Sequence, residues 1–366
     1  MLNNIKICFF NTTPFWGGGE KLHLEYALEF NKLNYPVCVV AKKNSPFYKK
    51  SVEENLEIAA FSISNLSFLN RIKFLKLVQY FKQAQIHTVF ISASPDLKIA
   101  APAAKKAGVK NIVYLRGLAV SIKNNLLNKK LLTQTVTHII ANSEETKRKI
   151  IENFNNSELE KKVKVIYHGI DLEIFDKNYV AQQPIYIKKE SEIVFGNAGR
   201  LTKQKGQRYL IEIAKKLQEQ QLNFKILIAG TGDEEQELKR LIKITKLEDK
   251  VLLLGFVKNI ESFMKSLDVF VLTSNWEGFG YVIVEAMAAK KPVVAFDITS
   301  NPEIIAADET GFLIPHLNIN KFSEQLEILA QDKKLRTKFG ENGRKRAEEK
   351  FQLKLIIKEI EAYLFT

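Results

Sequence analysis

Short apolar runs alternate with longer amphipathic stretches along the whole chain. In the first half KICFF, PVCVV, HTVFI, NIVYL, THIIA and VKVIY read as strands, and in the second EIVFGNAG, FKILIAG, KVLLLGF, DVFVLT and KPVVAF do. Runs that are apolar throughout, without polar alternation, suit strands covered on both faces, which is the condition of a parallel sheet. Between them residues 19–33, 68–84 and 143–154, then 204–220, 233–246, 258–265 and 281–290, read as helices. This order predicts an α/β chain of parallel strands joined by crossover helices.

The pattern occurs twice. At 366 residues the chain exceeds one usual domain, and its 46% hydrophobic content suffices for two cores. Two Rossmann-like domains are expected, over 1–175 and 185–350. Residues 171–190 have no clean period and contain Pro184, so the linker is expected there. After Gly311 the chain reads as helical. The last stretch, 351–366, sets Leu353, Ile356, Ile357, Ile360 and Leu364 on one helical face, which predicts docking onto a folded surface.

Charge changes the picture on one side only. The formal charge is +14, and residues 1–180 hold 26 Lys+Arg against 15 Asp+Glu, whereas 181–366 hold 29 against 26. The excess comes as Lys42, Lys43, Lys49 and Lys50, then Arg71, Lys73, Lys76 and Lys82, then Lys123, Lys129 and Lys130, interleaved with Phe, Leu and Ile. That suits either an anionic membrane surface or a solvated basic face. Nucleic acid would call for cations threaded with exposed aromatics in one groove, so no nucleic-acid partner is expected. No run approaches the roughly 20 apolar residues of a spanning helix, and the start MLNNIKICFF lacks the basic-then-apolar layout of a leader. A cytoplasmic protein is the expectation, and the membrane reading of the charge would make it peripheral on the inner face of the cytoplasmic membrane. Cys8 and Cys38 lie in strand-like runs and read as inert buried thiols.

The richest stretch for chemistry is NWEGFGYVIVEAMAA, residues 275–289, a glycine turn between a strand and a helix. Gly278 and Gly280 let backbone approach a ligand, and open amides around Phe279, Gly280, Tyr281 and Val282 would make an anion site that fits a diphosphate. Glu277 and Glu285 bracket that site. Beside phosphate their useful partners are hydroxyls, the ribose for Glu285 and the transferred sugar for Glu277. A hydrolytic pair would instead flank one glycosidic bond. Cations follow the strand EIVFGNAG as Arg200 and Lys205, the first able to grip two phosphate oxygens and the second a point charge. In the first half Gly17, Gly18 and Gly19 open a helix, but Leu22 occupies the third position of a dinucleotide fingerprint and the second strand ends without an acid, which argues against a nicotinamide dehydrogenase. The Gly230–Thr231–Gly232 turn alone assigns nothing, and His168 reads equally as structural or as a ligand. No metal-ligand spacing and no DxD triplet occur, so neither metal nor cofactor is expected.

These elements resemble the retaining glycosyltransferases of the GT-B fold, family 4 type. The likeness is most specific at GRLTKQKG, IAGTGDEEQEL, VLLLGFV and the Glu277-to-Glu285 spacing within EGFGYVIVEAM, and weaker at GGGE, IIANSEETKRKI and VIYHGID. It implies parallel sheets facing across a cleft, with an acceptor-side first domain capped by helix 351–366 and a donor-binding second domain. It implies that Arg200 and Lys205 hold the diphosphate and act in catalysis with Glu277, that Glu285 holds the ribose, and that Glu277 with the amides of Phe279, Gly280 and Tyr281 holds sugar and phosphates. Gly18 and Gly19 would form the opposite wall, and backbone near Val257 would read the base. Arg116 stands where many members place a His near the sugar. Ser300, Asn301, Pro302 and Glu303 replace a glycine-rich turn, and His168 replaces an Asn. The implied activity is transfer of a hexosyl group, without metal and with retention, from a nucleotide diphosphate sugar, a UDP-sugar by expectation, to a glycan or lipid-linked acceptor in envelope polysaccharide or lipopolysaccharide synthesis. A catalytically silent nucleotide- or glycan-binding relative is the alternative.

Overall fold

The computed structural model describes residues 5–365; residues 1–4, part of the start read as lacking a leader, and Thr366, the end of the predicted last helix, lie outside them. The chain divides into two compact units, one ending at His168 and regaining the chain from Ile356, the other Gly169–Leu355.

In the first unit the strands are β1 (Ile7–Asn11), β2 (Val37–Ala41), β3 (Glu57–Ala60), β4 (Thr88–Ile91), β5 (Asn111–Arg116), β6 (His138–Ala141) and β7 (Val163–Val165). They form a parallel sheet in the order β3-β2-β1-β4-β5-β6-β7. Both faces are covered, because every residue of β1 and β2 is buried. Phe9 stacks on Phe90 at 4.9 Å, and Cys8 lies opposite Cys38 in register, both thiols free and buried. The Leu353–Phe365 helix buries Leu353, Ile356, Ile357, Ile360 and Leu364. Its end is tied to the first unit by Tyr35 donating to Glu361 (2.8 Å), Asn111 to the Leu364 carbonyl (3.1 Å) and Tyr363 to the Lys162 carbonyl (2.8 Å).

In the second unit β8 (Ile193–Ala198), β9 (Phe224–Ala229), β10 (Val251–Gly255), β11 (Val269–Leu272), β12 (Val293–Asp297) and β13 (Gly311–Pro315) form a parallel sheet in the order β10-β9-β8-β11-β12-β13. Several elements depart from the sequence reading, which names neither β3 nor the Pro46–Glu53 and Ser94–Ala107 helices. Residues 311–315 form β13 on the β12 edge rather than resuming a helix at once. The stretch read as a linker folds in part: Leu172–Ala181 is a helix capped by the Asp171 side chain, which accepts from the Ile174 amide at 3.0 Å. Asn178 donates to Glu261, and Lys265 donates to the carbonyls of Tyr179 and Gln182, so this helix is built into the second unit.

Candidate functional site

Strand order in the second sheet reverses between β8 and β11, and an open parallel sheet offers its ligand crevice at the carboxyl ends beside such a reversal. The sequence places its chemistry there. β8 runs into Gly199, Arg200 and Lys205, and β11 runs into Ser274 through Gly280. The two loops are laced together. Asn275 accepts no slack: its amide donates to the Gln204 carbonyl and its side chain to the Lys203 carbonyl, each at 2.7 Å, while Gln204 donates to the Trp276 carbonyl at 3.1 Å. Gly206 makes the approach close. Its φ is +62°, and a Cβ there would lie 2.2 Å from the Thr273 carbonyl oxygen. Gly206→Ala combines a left-handed backbone with a backbone clash and should cost about 2–4 kcal/mol, measurable by urea denaturation; a wild-type midpoint would contradict this packing.

The lacing brings Lys205 onto Glu277. The ammonium donates to both carboxylate oxygens, at 2.6 and 2.9 Å, and Ser274 donates to Oε1 at 2.6 Å. Glu277 is only 3% exposed, and its amide donates to the Thr299 hydroxyl at 3.0 Å. Its charge is therefore matched inside the protein, and Lys205 is not the independent point charge expected from sequence. The Arg200 guanidinium remains exposed, with no hydrogen bond or ion pair to the described residues, while the Arg200 carbonyl accepts from the Gln207 side chain at 3.0 Å. Glu285, buried one turn into the Tyr281–Ala288 helix, lies beyond the glycine turn.

The amides divide differently from expectation too. The Tyr281 N–H, read as open, donates to the Phe279 carbonyl at 2.9 Å, because the turn into the helix closes on itself. Phe279 packs its ring on Phe351 at 5.9 Å. Val257 follows β10 on the same carboxyl edge, beyond Gly255. The Gly230–Thr231–Gly232 turn proves to be packing: added Cβ atoms would meet the Gly199 and Leu201 carbonyl oxygens at 1.9 and 2.3 Å.

Sequence reasoning missed a set of polar atoms on the same edge of the sheet. Asn197 Oδ1, Thr202 Oγ1, Gln207 Oε1, Ser300 Oγ and Asn301 Oδ1 are buried without a hydrogen-bond partner among the described residues. All five lie at the carboxyl ends of β8 and β12 or in the turns that follow, on either side of β11. Buried polar atoms are ordinarily satisfied, so these five are open to a polar partner. The available signal was polar residues at the ends of apolar strands. Among the described residues no group of three or more His, Cys, Asp or Glu side chains could hold a metal ion.

In the first unit Gly18 and Gly19 form the opening turn of the Gly18–Lys32 helix, and an added Cβ at either meets nothing within 4 Å. Arg116, at the end of β5, donates to the Tyr114 hydroxyl at 3.2 Å and the Val120 carbonyl at 2.9 Å, with Nε buried and without a hydrogen-bond partner among the described residues. Next to it the Asn142 side chain contacts His168 Nε2 and donates to the Gly117 carbonyl, each at 3.2 Å. Burial pushes the His168 imidazole down to about 4, so it is neutral at pH 7.

Two family models match the chain, Glycosyltransferase Family 4 over residues 16–174 and Glycosyl transferases group 1 over 181–346. It is 32% identical over 242 residues to the capsular polysaccharide biosynthesis glycosyltransferase CapM of Staphylococcus aureus, the match covering 64% of this chain and 63% of that protein. Over 239 residues it is 33% identical to the Campylobacter jejuni N-acetylgalactosamine-N,N'-diacetylbacillosaminyl-diphospho-undecaprenol 4-alpha-N-acetylgalactosaminyltransferase, covering 65% of this chain and 62% of that one. Both matches thus span less than two thirds of the relative. In fold it is similar to Anabaena HepE, solved in complex with UDP and glucose, with a TM-score of 0.83 at 22% identity over 98% of this chain and 99% of that one.

Proposed function

Because this chain belongs to the glycosyltransferases of the GT-B, family 4 type, we propose that it transfers a hexosyl group from a UDP-sugar, with retention and without metal, to a glycan or lipid-linked acceptor of the cell envelope. The observation that carries this is the charge-matched Lys205–Glu277 pair on the loops after β8 and β11, with the unpaired Arg200 guanidinium on the same loop as Lys205 and five unsatisfied buried polar atoms at the carboxyl ends of the flanking strands and in the segments that follow. A hydroxyl-rich ligand satisfies such atoms, and a diphosphate draws the guanidinium.

In this reading Arg200 grips the diphosphate, and Lys205, with two of its three N–H groups spent on Glu277, turns the third to the same phosphates. Developing charge on the departing diphosphate is thereby stabilised. Glu285 holds the ribose, and Gly278, Phe279, Gly280 and Tyr281 line the phosphate side, with Val257 toward the base. Glu277 orients a sugar hydroxyl. Its carboxylate already accepts from Lys205 and Ser274, which makes it a poor nucleophile and favours front-face attack assisted by the leaving phosphate over a covalent intermediate. Gly18 and Gly19 are taken as further donor contacts and Arg116 as a sugar contact. The similarity to a capsular polysaccharide enzyme and to one acting on a diphospho-undecaprenol acceptor, and the UDP bound to HepE, support the acceptor class and the donor base.

Nucleotide sugars screened by thermal protection test the donor, since a ligand at 100 times its Kd stabilises by about 2.7 kcal/mol. Arg200→Ala should leave the melting temperature of the free protein unchanged and lower transfer by about a hundredfold; wild-type turnover would remove Arg200 from the site. Product NMR should show the donor's anomeric configuration. Protection by a UDP-sugar with no transfer to any acceptor would favour the silent relative instead.

A further inference from the structure

One stretch of the first unit, residues 58–143, carries almost nothing but positive charge. It holds twelve Lys and Arg and a single acid, Asp96, which is buried. The helices Arg71–Gln83 and Ser94–Ala107 pack on each other, and the second also packs on the 131–135 turn that continues the Leu126–Lys130 helix. Lys105 and Lys106, Lys129 and Lys130 therefore share this layer with Arg71 and Lys76, all of them exposed.

Apolar side chains project from the same layer. Leu66, Leu69 and Ile72 are each 70% exposed and Leu75 is 47% exposed. On the Arg71–Gln83 helix, Ile72 and Leu75 sit in the middle of the solvent-facing arc, with Arg71 and Lys82 along one margin and Lys76 along the other. Leu66 and Leu69 are held out by a built turn. Ser67 accepts from the Ser64 amide at 2.9 Å, Lys73 reaches back to the Ser62 carbonyl at 2.6 Å, and Asn70 caps the helix by accepting from the Lys73 amide at 2.8 Å. Phe68 and Phe74 turn inward onto the core, leaving the leucines outside.

We propose that this surface docks on an anionic lipid membrane, with Leu66, Leu69, Ile72 and Leu75 entering the headgroup–acyl boundary and the flanking cations meeting lipid phosphates. Apolar residues framed on both sides by Lys and Arg are what an interfacial helix requires, and their long stems let the charges remain at headgroup level. A second copy of the chain fits poorly, because a two-fold contact would set this cation-rich layer against itself. The proposal deepens the lipid-linked acceptor reading and rests on it for its purpose, but binding is measured without catalysis.

The full-length protein would be sedimented with phosphatidylcholine vesicles with and without phosphatidylglycerol. We expect binding only to the anionic vesicles, weakening as salt is raised. Leu69→Ser with Ile72→Ser, and separately Arg71→Glu with Lys76→Glu, should each lower the partition coefficient at least about tenfold, with circular dichroism and transfer to a water-soluble acceptor unchanged. Failure of the wild type to bind, or equal binding by wild type and both variants, would overturn the proposal. So would displacement from the vesicles by soluble polyglutamate at matched charge, which would reassign the surface to an acidic polypeptide, or a solution dimer abolished by the serine pair. Loss of transfer with vesicle binding intact would instead fault the glycosyltransferase site and leave this surface standing.

Discussion

Replacing Lys205 with Ala should damage the protein in two separable ways. Glu277 would be left 3% exposed with only Ser274 and no cation, and a buried carboxylate losing its partner costs about 2–4 kcal/mol when the partner is itself partly solvated. The sequence alone suggests a surface cation whose loss spares the fold, so this expected instability comes from the geometry. Transfer should fall about a hundredfold to a thousandfold, the cost of removing one preorganised donor at a site of developing charge. Lys205→Met combined with Glu277→Gln removes both charges at once. Urea denaturation should find most of the lost stability restored in the double variant, since no buried charge is stranded, while activity stays low. Recovery of transfer along with stability would mean that the pair serves the fold alone.

The strands that were legible and those that were not differ in burial. β1, β2, β8 and β9 are largely apolar because both of their faces are buried, and that pressure leaves a recognisable apolar run in the sequence. β3 reads EIAA with exposed ends and lies at the sheet edge, where one neighbour suffices and no such run is needed. The Leu172–Ala181 helix buries only Leu172 and Phe175, too few to show a period. At the site, residue types were readable but pairings were not. Lys205 and Glu277 are 72 positions apart, and only the meeting of two loops after β8 and β11 decides that they neutralise each other. The Tyr281 amide departs from the sequence expectation for a related reason, because helix starts expose donors in general whereas this turn consumes one of them.

His23→Leu should raise stability at pH 7 and reverse the first unit's response to acid. His23 is fully buried in the first core, edge-on to Phe9 and Phe47 at 6.0 and 6.1 Å, and neither ring nitrogen has a hydrogen-bond partner among the described residues. Removing an unsatisfied polar ring from such a place should gain about 1–2 kcal/mol. Burial also pushes its imidazole down to about 3, from 6.5 in the unfolded chain. The unfolded state therefore takes up a proton that the folded state refuses, so stability is complete above pH 6.5 and drains away toward pH 3 by about 1.4 kcal/mol per unit. Asp96 acts with the opposite sign. Burial, opposed by the bonds from the Thr12 amide and hydroxyl, raises its carboxyl from 3.8 to about 6. Its contribution is complete below pH 3.8 and is lost as pH rises through 6. Between pH 6 and 4 the two slopes nearly cancel in the wild type, and below pH 4 His23 alone remains to destabilise the unit. Chemical denaturation from pH 7 to 3 should then show a wild-type plateau followed by a fall. The Leu variant should grow more stable from pH 6 to 4, and Asp96→Asn should weaken from pH 6.5 onward. A Leu variant that tracked the wild type at every pH would mean that His23 is protonated inside the fold, against its apolar surroundings.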